Sequence, residues 1–298
     1  MGECSLAPGV VGATMVGEIA QFSSIRGRFR RLPHKMGQTG GGGALEFSLD
    51  AQLVRTALAL VVLLVASLAV MRVSGIALRR DLLGSAARAV VQLALVAVVI
   101  GWLFANPQWS LVYVVIMLGA ATLTAVSRIG CGYRHFWRVL VPIAAGAAAT
   151  VGIVAATGAL SRDVQSLLPF TAQMIGGAMT ATLLAGARLR DDALERWGEI
   201  EGYLALGARA RQAVRPVATR AIEQSLAPAL DQMKSAGLVL LPGSFVGLLL
   251  GGASPMLAVQ IQLLVLVGLV LAQVISSTLS VFLLSSVVGS KKPEGWRH

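Results

Sequence analysis

Long runs of apolar residues, separated by short polar stretches, fill the chain from Leu53 onward. A membrane-crossing helix needs about 20 mostly apolar residues, and about 17 can suffice. Seven runs reach this length, at residues 53–71, 86–105, 109–127, 139–160, 167–187, 236–253 and 257–286. The pattern predicts an all-α fold, a polytopic membrane bundle of about seven transmembrane helices. Merging or splitting the weak first and last runs would give six or eight, and the last run is long enough to be tilted or partly interfacial.

The composition of the chain supports this interpretation. Of its 298 residues, 56% are hydrophobic and 13% are charged, whereas a soluble domain carries about a quarter charged residues. The formal net charge of +11 does not indicate nucleic acid, because Lys and Arg collect in the cytoplasmic loops of membrane proteins. A lipid bilayer is therefore the expected environment, and no nucleic-acid partner is expected.

Changes in composition divide the chain into three parts. Residues 1–49 are basic and then Gly-rich, which predicts a disordered N-terminal tail. An over-extended start is the alternative, since Met36 stands shortly before the first apolar run. Residues 50–290 form the predicted transmembrane domain, in which residues 188–235 are a long loop of mixed charge. Residues 291–298 form a C-terminal tail.

The distribution of arginines predicts the orientation in the membrane. The connection after the first apolar run carries Arg72, Arg79 and Arg80. The connection after the third run carries Arg128, Arg134 and Arg138. The positive-inside rule places both connections in the cytoplasm. In a plasma membrane or bacterial inner membrane, the N-terminus is then outside, and the mixed-charge loop and the C-terminal tail are cytoplasmic. The basic N-terminal tail lies on the disfavoured side in this orientation.

The sequence lacks the motifs of common enzyme classes. It has no G-x-x-x-x-G-K-[ST] phosphate loop and no H-E-x-x-H pair, and its three histidines are scattered. Cys4 and Cys131 are too far apart for a CxxC-type metal site. No Asp or Glu lies in the middle of a span, which argues against a proton relay. The chain is therefore predicted to be no enzyme and to bind no cofactor itself, and any metal site stays unknown.

Glycines at helical spacing predict close helix packing. Gly243, Gly247 and Gly251 recur every four residues in the sixth run, and Gly177 begins a similar series of small residues in the fifth. Such faces let the backbones of membrane helices approach one another closely. Packing within the bundle is the simpler interpretation, and a subunit interface or a sliding face is the alternative.

Uncharged polar residues within the apolar runs are candidates for a substrate pathway, because in hydrocarbon they must face protein or a water-filled cavity. These residues are Gln92, Gln173, Gln262, Gln273 and Ser276. Met174 adjoins one of them, and thioethers bind soft metals, although methionine is more often core filler. We hypothesise a pathway role for Gln92, Gln173 and Met174, with packing as the alternative.

An acid and a base stand directly before the sixth run, which a Pro-Gly step then interrupts. Asp231 and Lys234 are predicted to mark the cytoplasmic membrane boundary, where their i, i+3 spacing allows a weak ion pair. Pro242 removes a backbone donor and Gly243 relaxes the steric limits, so the two together can break a helix. Broken membrane helices need protein or a cavity around them, and all four residues are therefore pathway candidates.

Within the mixed-charge loop, four apolar residues recur every three or four positions: Leu194, Trp197, Ile200 and Leu204. This spacing predicts an amphipathic helix lying on a surface. The helix would lie on the membrane or dock a partner.

One segment resembles the FetB/YbbM-type ABC transporter permeases. Residues 206–262 follow that family's pattern P-x-x-D-x-x-K-x-x-G-L-V-x-L-P-G, and the residues in register are Pro228, Asp231, Lys234, Gly237, Leu241, Pro242, Gly243, Gly247, Gly251, Pro255, Ala258 and Gln260. Two shorter segments, "QMIGGAMTA" at 173–181 and "RAVVQL" at 88–93, resemble further family motifs. Gly177 stands where the family has Asn, and Phe245 where it has Met. The resemblance adds Gly177 and Gln260 to the pathway candidates.

The resemblance implies a permease subunit that pairs with a second copy and works with a separate ATP-binding subunit, which would hold ATP and Mg. It also implies export of metal ions such as iron; plant relatives are linked to aluminium tolerance and nucleotide-sugar transport. ABC permeases carry a cytoplasmic coupling motif, E-A-A-x-x-x-G, and here Glu201 to Gly207 keeps the Glu-to-Gly spacing. The coupling residues would be Glu201, Leu206, Gly207 and Ala208.

Two other classes of protein stay open from the residues themselves. One is a secondary transporter or channel for a metal or small polar solute, which would need no ATPase. Because the predicted spans have no acidic residue in their middle, such a transporter could couple to sodium through backbone carbonyls and side-chain hydroxyls. A membrane scaffold or sensor would use the mixed-charge loop to recruit partners.

Overall fold

The computed structural model describes residues 42–75 and 79–289, and these residues are almost entirely helical. The one β-type pairing among them is an isolated bridge between Ala236 and Leu240. Six of the described helices are long and apolar enough to cross a membrane, which confirms the all-α, polytopic bundle. Most of the predicted N-terminal tail and the whole predicted C-terminal tail lie outside the described residues.

Ten α-helices lie within the described ranges. They are α1 (Gly42–Val73), α2 (Arg79–Ala105), α3 (Ser110–Ile129), α4 (Phe136–Thr157), α5 (Val164–Glu195), α6 (Trp197–Ala205), α7 (Ala210–Ala213), α8 (Arg215–Ser235), α9 (Gly243–Leu250) and α10 (Pro255–Val288). Short 3-10 turns, Pro107–Trp109 and Tyr133–His135, precede α3 and α4. Helix α1 begins inside the segment 1–49 that the sequence predicts as a tail.

The chain divides into two units, Met1–Ala89 and Val90–His298. The described part of the first unit consists of α1 and the first residues of α2. From Val54 to Val73, α1 is apolar on every side, and none of this stretch is buried within its own unit. A helix that is hydrophobic all round needs an apolar medium, so lipid is the environment that its exposed Val and Leu side chains require.

In the second unit, α5 and α10 run side by side in the same direction. A Cβ atom built on Gly177 would lie 3.4 Å from the Nε2 of Gln273, and one built on Gly186 would lie 3.3 Å from the Cδ1 of Leu284. Residue numbers therefore rise together along the two helices. Because both glycines lack a side chain, the backbone of α5 approaches the side chains of α10 closely.

Helix α4 runs against this direction. A Cβ atom on Gly146 would collide with the carbonyl oxygen of Ala272, whereas one on Gly268 would lie 3.1 Å from the Cγ2 of Thr150. Helices α4 and α10 are therefore antiparallel. Helix α3 is parallel to α5: its first residues share a cleft with the first residues of α5, and its last residue, Ile129, packs on Gly186.

These directions give the second unit two ends. The basic end holds the loop 130–135 and helices α6 and α7, and it carries most of the arginines of this unit. There Arg190 donates from its Nη1 to the carbonyl oxygen of Ile129 at 2.7 Å, which ties the end of α3 to the end of α5. The opposite end holds the loops 106–109 and 158–163.

Two buried clusters hold the second unit together. The first lies between α3, α4, α5 and α10 and is centred on side chains such as Val126, Ile143 and Met174. The second lies at the basic end, where the last turns of α5 and α10 meet α6, α7 and the start of α8 around Leu189 and Ile200. In lipid, side chains of this kind hold helices together by close van der Waals packing rather than by leaving water, so the first cluster fixes the helix arrangement through its packing.

One predicted transmembrane helix is wrong. Residues 236–253 do not form a span, because a turn at 235–240 with Gly237 at φ +83° and then Pro242 delay the start of α9. That helix has only 8 residues, about 12 Å of length, and the chain turns again at Gly252, with φ +84°. The apolar helices therefore number six in the described chain, and the last predicted run is one 34-residue helix, α10.

Candidate functional site

The end of α6 is a glycine-capped turn. Gly207 has φ +90°; its N–H donates to the carbonyl of Leu204 at 2.9 Å, and the N–H of Ala208 donates to the carbonyl of Tyr203 at 3.0 Å. This pair of bonds is a Schellman motif, which satisfies carbonyls that the helix end leaves free. A left-handed residue is needed at that position, and glycine adopts it without steric cost. The Gly of the Glu201-to-Gly207 spacing thus has a structural role in ending α6.

The capped turn presents an apolar tip at the basic end. Leu206 is 86% exposed and Tyr203 is 49% exposed, and Glu201 is exposed on the same short helix. The predicted coupling residues Glu201, Leu206 and Gly207 therefore lie together, while Ala208 is half-buried behind them. Tyr203 was not singled out in the sequence; the exposed aromatic side chain beside Leu206 becomes evident only once the helix end is known.

The opposite face of α6 packs into the second cluster. Ile200 is 1% exposed, and Trp197 and Leu204 pack beside it against the ends of α5 and α10. The amphipathic pattern is thus explained by packing against the protein's own core. Residues 188–235 are accordingly the end of α5 followed by three helices.

Helix α7 joins this turn to α10. A Cβ atom on Gly289 would collide with the carbonyl oxygen of Ala210, and the guanidinium of Arg211 lies 4.1 Å from the ring centroid of Phe282. Cation–π contacts of this kind add to packing. A force applied at the tip of α6 would therefore reach the last turns of α10 and α5 directly.

The loop of the basic end contains a buried cysteine, Cys131. Burial raises the pKa of its thiol, and a backbone hydrogen bond and the charge of Arg190 oppose that shift with smaller effects. The thiol therefore stays protonated and is a poor nucleophile and metal ligand. Among the described residues, no three His, Cys, Asp or Glu side chains come together as a metal site.

At the opposite end, an open cleft of about 470 Å³ lies between α5, α9 and α10. Gln173, Ser244, Gly247 and Gly251 are among its lining residues. Beside it, Gln262 is buried, and its Oε1 accepts a hydrogen bond from the hydroxyl of Ser244. The structure thus brings one predicted pathway residue, Gln173, next to the helix that follows the Pro-Gly step.

Other pathway candidates lie elsewhere. Met174 is fully buried in the first cluster, where its Sδ faces Gly268, and Gly177 packs against α10. Gln92 is exposed on α2, and Gln260 is exposed near the start of α10. The structure does not gather these four residues around one cavity.

The glycines of α9 do not pack as the sequence predicts. A Cβ atom on Gly243 or Gly247 would meet nothing within 4 Å, and one on Gly251 would meet only carbonyls of its own helix. Within the described chain the close helix packing occurs instead at glycines of α4, α5 and α10. Within the second unit, Gly247 and Gly251 line the open cleft instead of meeting another helix.

Asp231 and Lys234 do form the expected ion pair, at 3.5 Å, but both side chains are more than two thirds exposed. Such a pair contributes little stability. They occupy the last turns of α8, away from the second cluster, and the chain leads from them to Pro242 and α9. The membrane boundary at these residues stays a prediction.

Sequence reasoning missed the other exposed charges of α8, which include Arg220 and Glu223. The signal was present, because Val217, Ala221, Ser225 and Ala229 recur every four residues and are all buried. A regular stripe in a segment of low hydropathy indicates a helix with one packed face.

The fold and these two regions define a multi-pass membrane protein with a helical bundle and an exposed tip at its basic end. The chain belongs to the uncharacterised protein family UPF0014, whose family model matches residues 54–288.

Three relatives illustrate this family. The chain is 34% identical over 208 residues to UPF0014 membrane protein STAR2 of Oryza sativa subsp. japonica, covering 69% of this chain and 73% of that protein. It is 32% identical over 233 residues to Protein ALUMINUM SENSITIVE 3 of Arabidopsis thaliana, covering 78% and 85%. It is 28% identical over 229 residues to Probable iron export permease protein FetB of Escherichia coli, covering 76% and 88%. No solved structure matches the chain.

Proposed function

We propose that this protein is the permease subunit of an ABC transporter that exports metal ions such as iron. ATP and Mg would bind to a separate ATP-binding subunit, and two copies of this chain would pair in the membrane. The observation that carries the proposal is the tip of α6, where Tyr203 and Leu206 are exposed at the end that the arginines assign to the cytoplasm.

The tip has the features of a docking element for a cytoplasmic partner. Aromatic and aliphatic side chains that stand out on a surface favour burial in a partner's pocket. Its rigid cap at Gly207 preorganises the turn, which lowers the entropy cost of binding. Its base is packed on the ends of α5 and α10, so movement of the partner would be passed into the two longest helices of the second unit.

The proposed cargo follows from the names of relatives. One relative is named as a probable iron export permease, and another is named for aluminium sensitivity. The described residues offer no cluster of three metal-ligating side chains.

The test uses transporter reconstituted in vesicles with its ATP-binding subunit. Glu201→Arg and Gly207→Trp should abolish ATP-driven iron transport and weaken partner binding, while the permease still reaches the membrane. Gly202→Ala is the matched control, because a Cβ atom there would meet nothing within 4 Å and the residue lies within the helix; it should keep both activities.

Two results would overturn the proposal. Uphill transport at the normal rate without the ATP-binding subunit would indicate a secondary transporter or channel. Full partner binding and full transport by both tip variants would show that the tip of α6 does not couple the two subunits.

A further inference from the structure

The directions of α5 and α10 require a crossing that hydropathy does not reveal. Both helices are apolar spans, they follow each other among the six apolar spans, and they are parallel. Two parallel spans both end at the basic end of the bundle. The chain must therefore return from the basic end to the opposite end somewhere between Glu195 and Pro255.

Helix α8 makes this return. It starts inside the second cluster, where Val217 and Ala221 pack near Leu284 and Val288. After its last residue, a tight turn leads to α9, whose Ser244 donates a hydrogen bond to Gln262 near the start of α10, at the end opposite to the second cluster. The 21 residues of α8 cover about 30 Å, which matches the thickness of the hydrocarbon core of a bilayer.

The two sides of α8 differ sharply in chemistry. The stripe Val217, Ala221, Ser225 and Ala229 is buried against its neighbours. Five charged residues spread along the helix are exposed: Arg215, Arg220, Glu223, Asp231 and Lys234. This side is therefore unlike the exposed sides of the apolar spans, which display Val, Leu and Ile.

A charged face at this depth cannot border lipid. Ionised groups in hydrocarbon are costly, and those found within membranes face the bundle interior or a water-filled cavity. Within the second unit no other helix covers this face, since the charged side chains are exposed there. Water or a further protein surface must therefore cover it.

We propose that α8 is a seventh, polar membrane crossing whose charged face borders the aqueous transport pathway, with the α8 of a second copy forming the facing wall. The transport role in this inference rests on the proposed permease function, whereas the membrane crossing of α8 does not. It makes Arg220 and Glu223 pathway residues at mid-depth, with Asp231 and Lys234 near the opposite mouth.

Single cysteines test the crossing. In a full-length background with Cys4→Ser and Cys131→Ala, cysteine replaces Lys234, Glu223, Tyr203 or Ile116 in separate variants. Each is treated with a membrane-impermeant methanethiosulfonate in right-side-out and inside-out vesicles. Ile116→Cys is the lipid-facing control, because this side chain is 62% exposed on the apolar helix α3.

The expected pattern is specific. Lys234→Cys should be labelled from the outside only, Tyr203→Cys from the cytoplasmic side only, and Glu223→Cys at least tenfold faster than Ile116→Cys. Labelling of Lys234→Cys only from the cytoplasmic side would overturn the crossing. Equal protection of Glu223→Cys and Ile116→Cys would overturn the aqueous face.

The facing wall is tested separately. Ala227 is exposed between the two charged pairs, so Ala227→Cys should form a covalent dimer with a short bifunctional thiol reagent, whereas Ile116→Cys should stay monomeric. No dimer with reagents of any length would refute the second copy as the facing wall. None of these readouts needs ATP or the partner subunit, so failure of the ATP-driven mechanism and failure of this inference give different results.

Discussion

The cap of α6 permits a prediction whose magnitude follows from one dihedral angle. Gly207 has φ +90°, and a side chain in the left-handed region costs about 1–2 kcal/mol. No neighbouring atom lies within 4 Å of a Cβ atom at this position, so Gly207→Ala introduces backbone strain without a steric clash. The expected cost is therefore local and falls on the turn.

That cost can be measured as faster opening of the turn. A penalty of 1–2 kcal/mol changes an equilibrium about 5- to 30-fold, so amide exchange at Ala208, which donates to Tyr203 at 3.0 Å, should accelerate by that factor. Gly207→Asn should have a smaller effect, since Asn is enriched in the left-handed region. Gly202→Ala should slow exchange within α6, because Ala is favoured over Gly in a helix by about 1 kcal/mol.

Residue-resolved hydrogen exchange in detergent or nanodiscs provides the assay, with the ATPase rate of the complete transporter as a second readout. If Gly207→Ala exchanges at the wild-type rate while Gly202→Ala behaves as expected, the left-handed cap is not what holds the turn. If exchange accelerates and ATP-coupled transport is unchanged, the turn is capped as described but its rigidity does not serve coupling.

Two further predictions concern packing and ionisation. Gly146→Ala should lower the yield and thermal stability of the protein, because its Cβ would collide with the backbone carbonyl oxygen of Ala272. Gly152→Ala in the same helix, with nothing within 4 Å, should be neutral or stabilising. Equal effects in thermal melts would contradict the close approach of α4 and α10. Since the pKa of Cys131 is raised, the folded protein holds the thiol proton where the unfolded chain has lost it. The free energy of unfolding should therefore fall as the pH rises above the ordinary thiol pKa. Maleimide should label Cys131 far more slowly than a cysteine introduced by Leu206→Cys. Equal labelling rates at neutral pH would contradict the burial of Cys131.

Hydropathy predicted the apolar spans well because a long apolar helix is stable in lipid whatever its neighbours are. It failed at residues 236–253, since a sliding average does not register that Pro242 starts one short helix and Gly252 ends it. It also passed over α8, whose charges lower its mean hydropathy although one side is packed. A crossing of this kind is visible only when the directions of the flanking helices are known.

The site was predictable only in part, for a related reason. The spacing of Glu201 and Gly207 marked the turn for which we propose a coupling role, and the tertiary structure then supplied the reason for the glycine. Met174 and Gly177 looked like pathway residues because sequence does not distinguish a polar or small residue that lines a cavity from one that meets another helix. The tip formed by Tyr203 and Leu206 depends on where α6 ends, which local propensity leaves uncertain by a residue or two.

The buried stripe of α8 has a consequence for how such proteins diversify. Its members Val217, Ala221, Ser225 and Ala229 leave little room for larger groups, whereas the charged side chains on the other side are exposed. Mutations can therefore exchange acids, bases and amides along one edge of a single helix without disturbing the architecture. Descendants of one ancestral scaffold could acquire different cargo by that route.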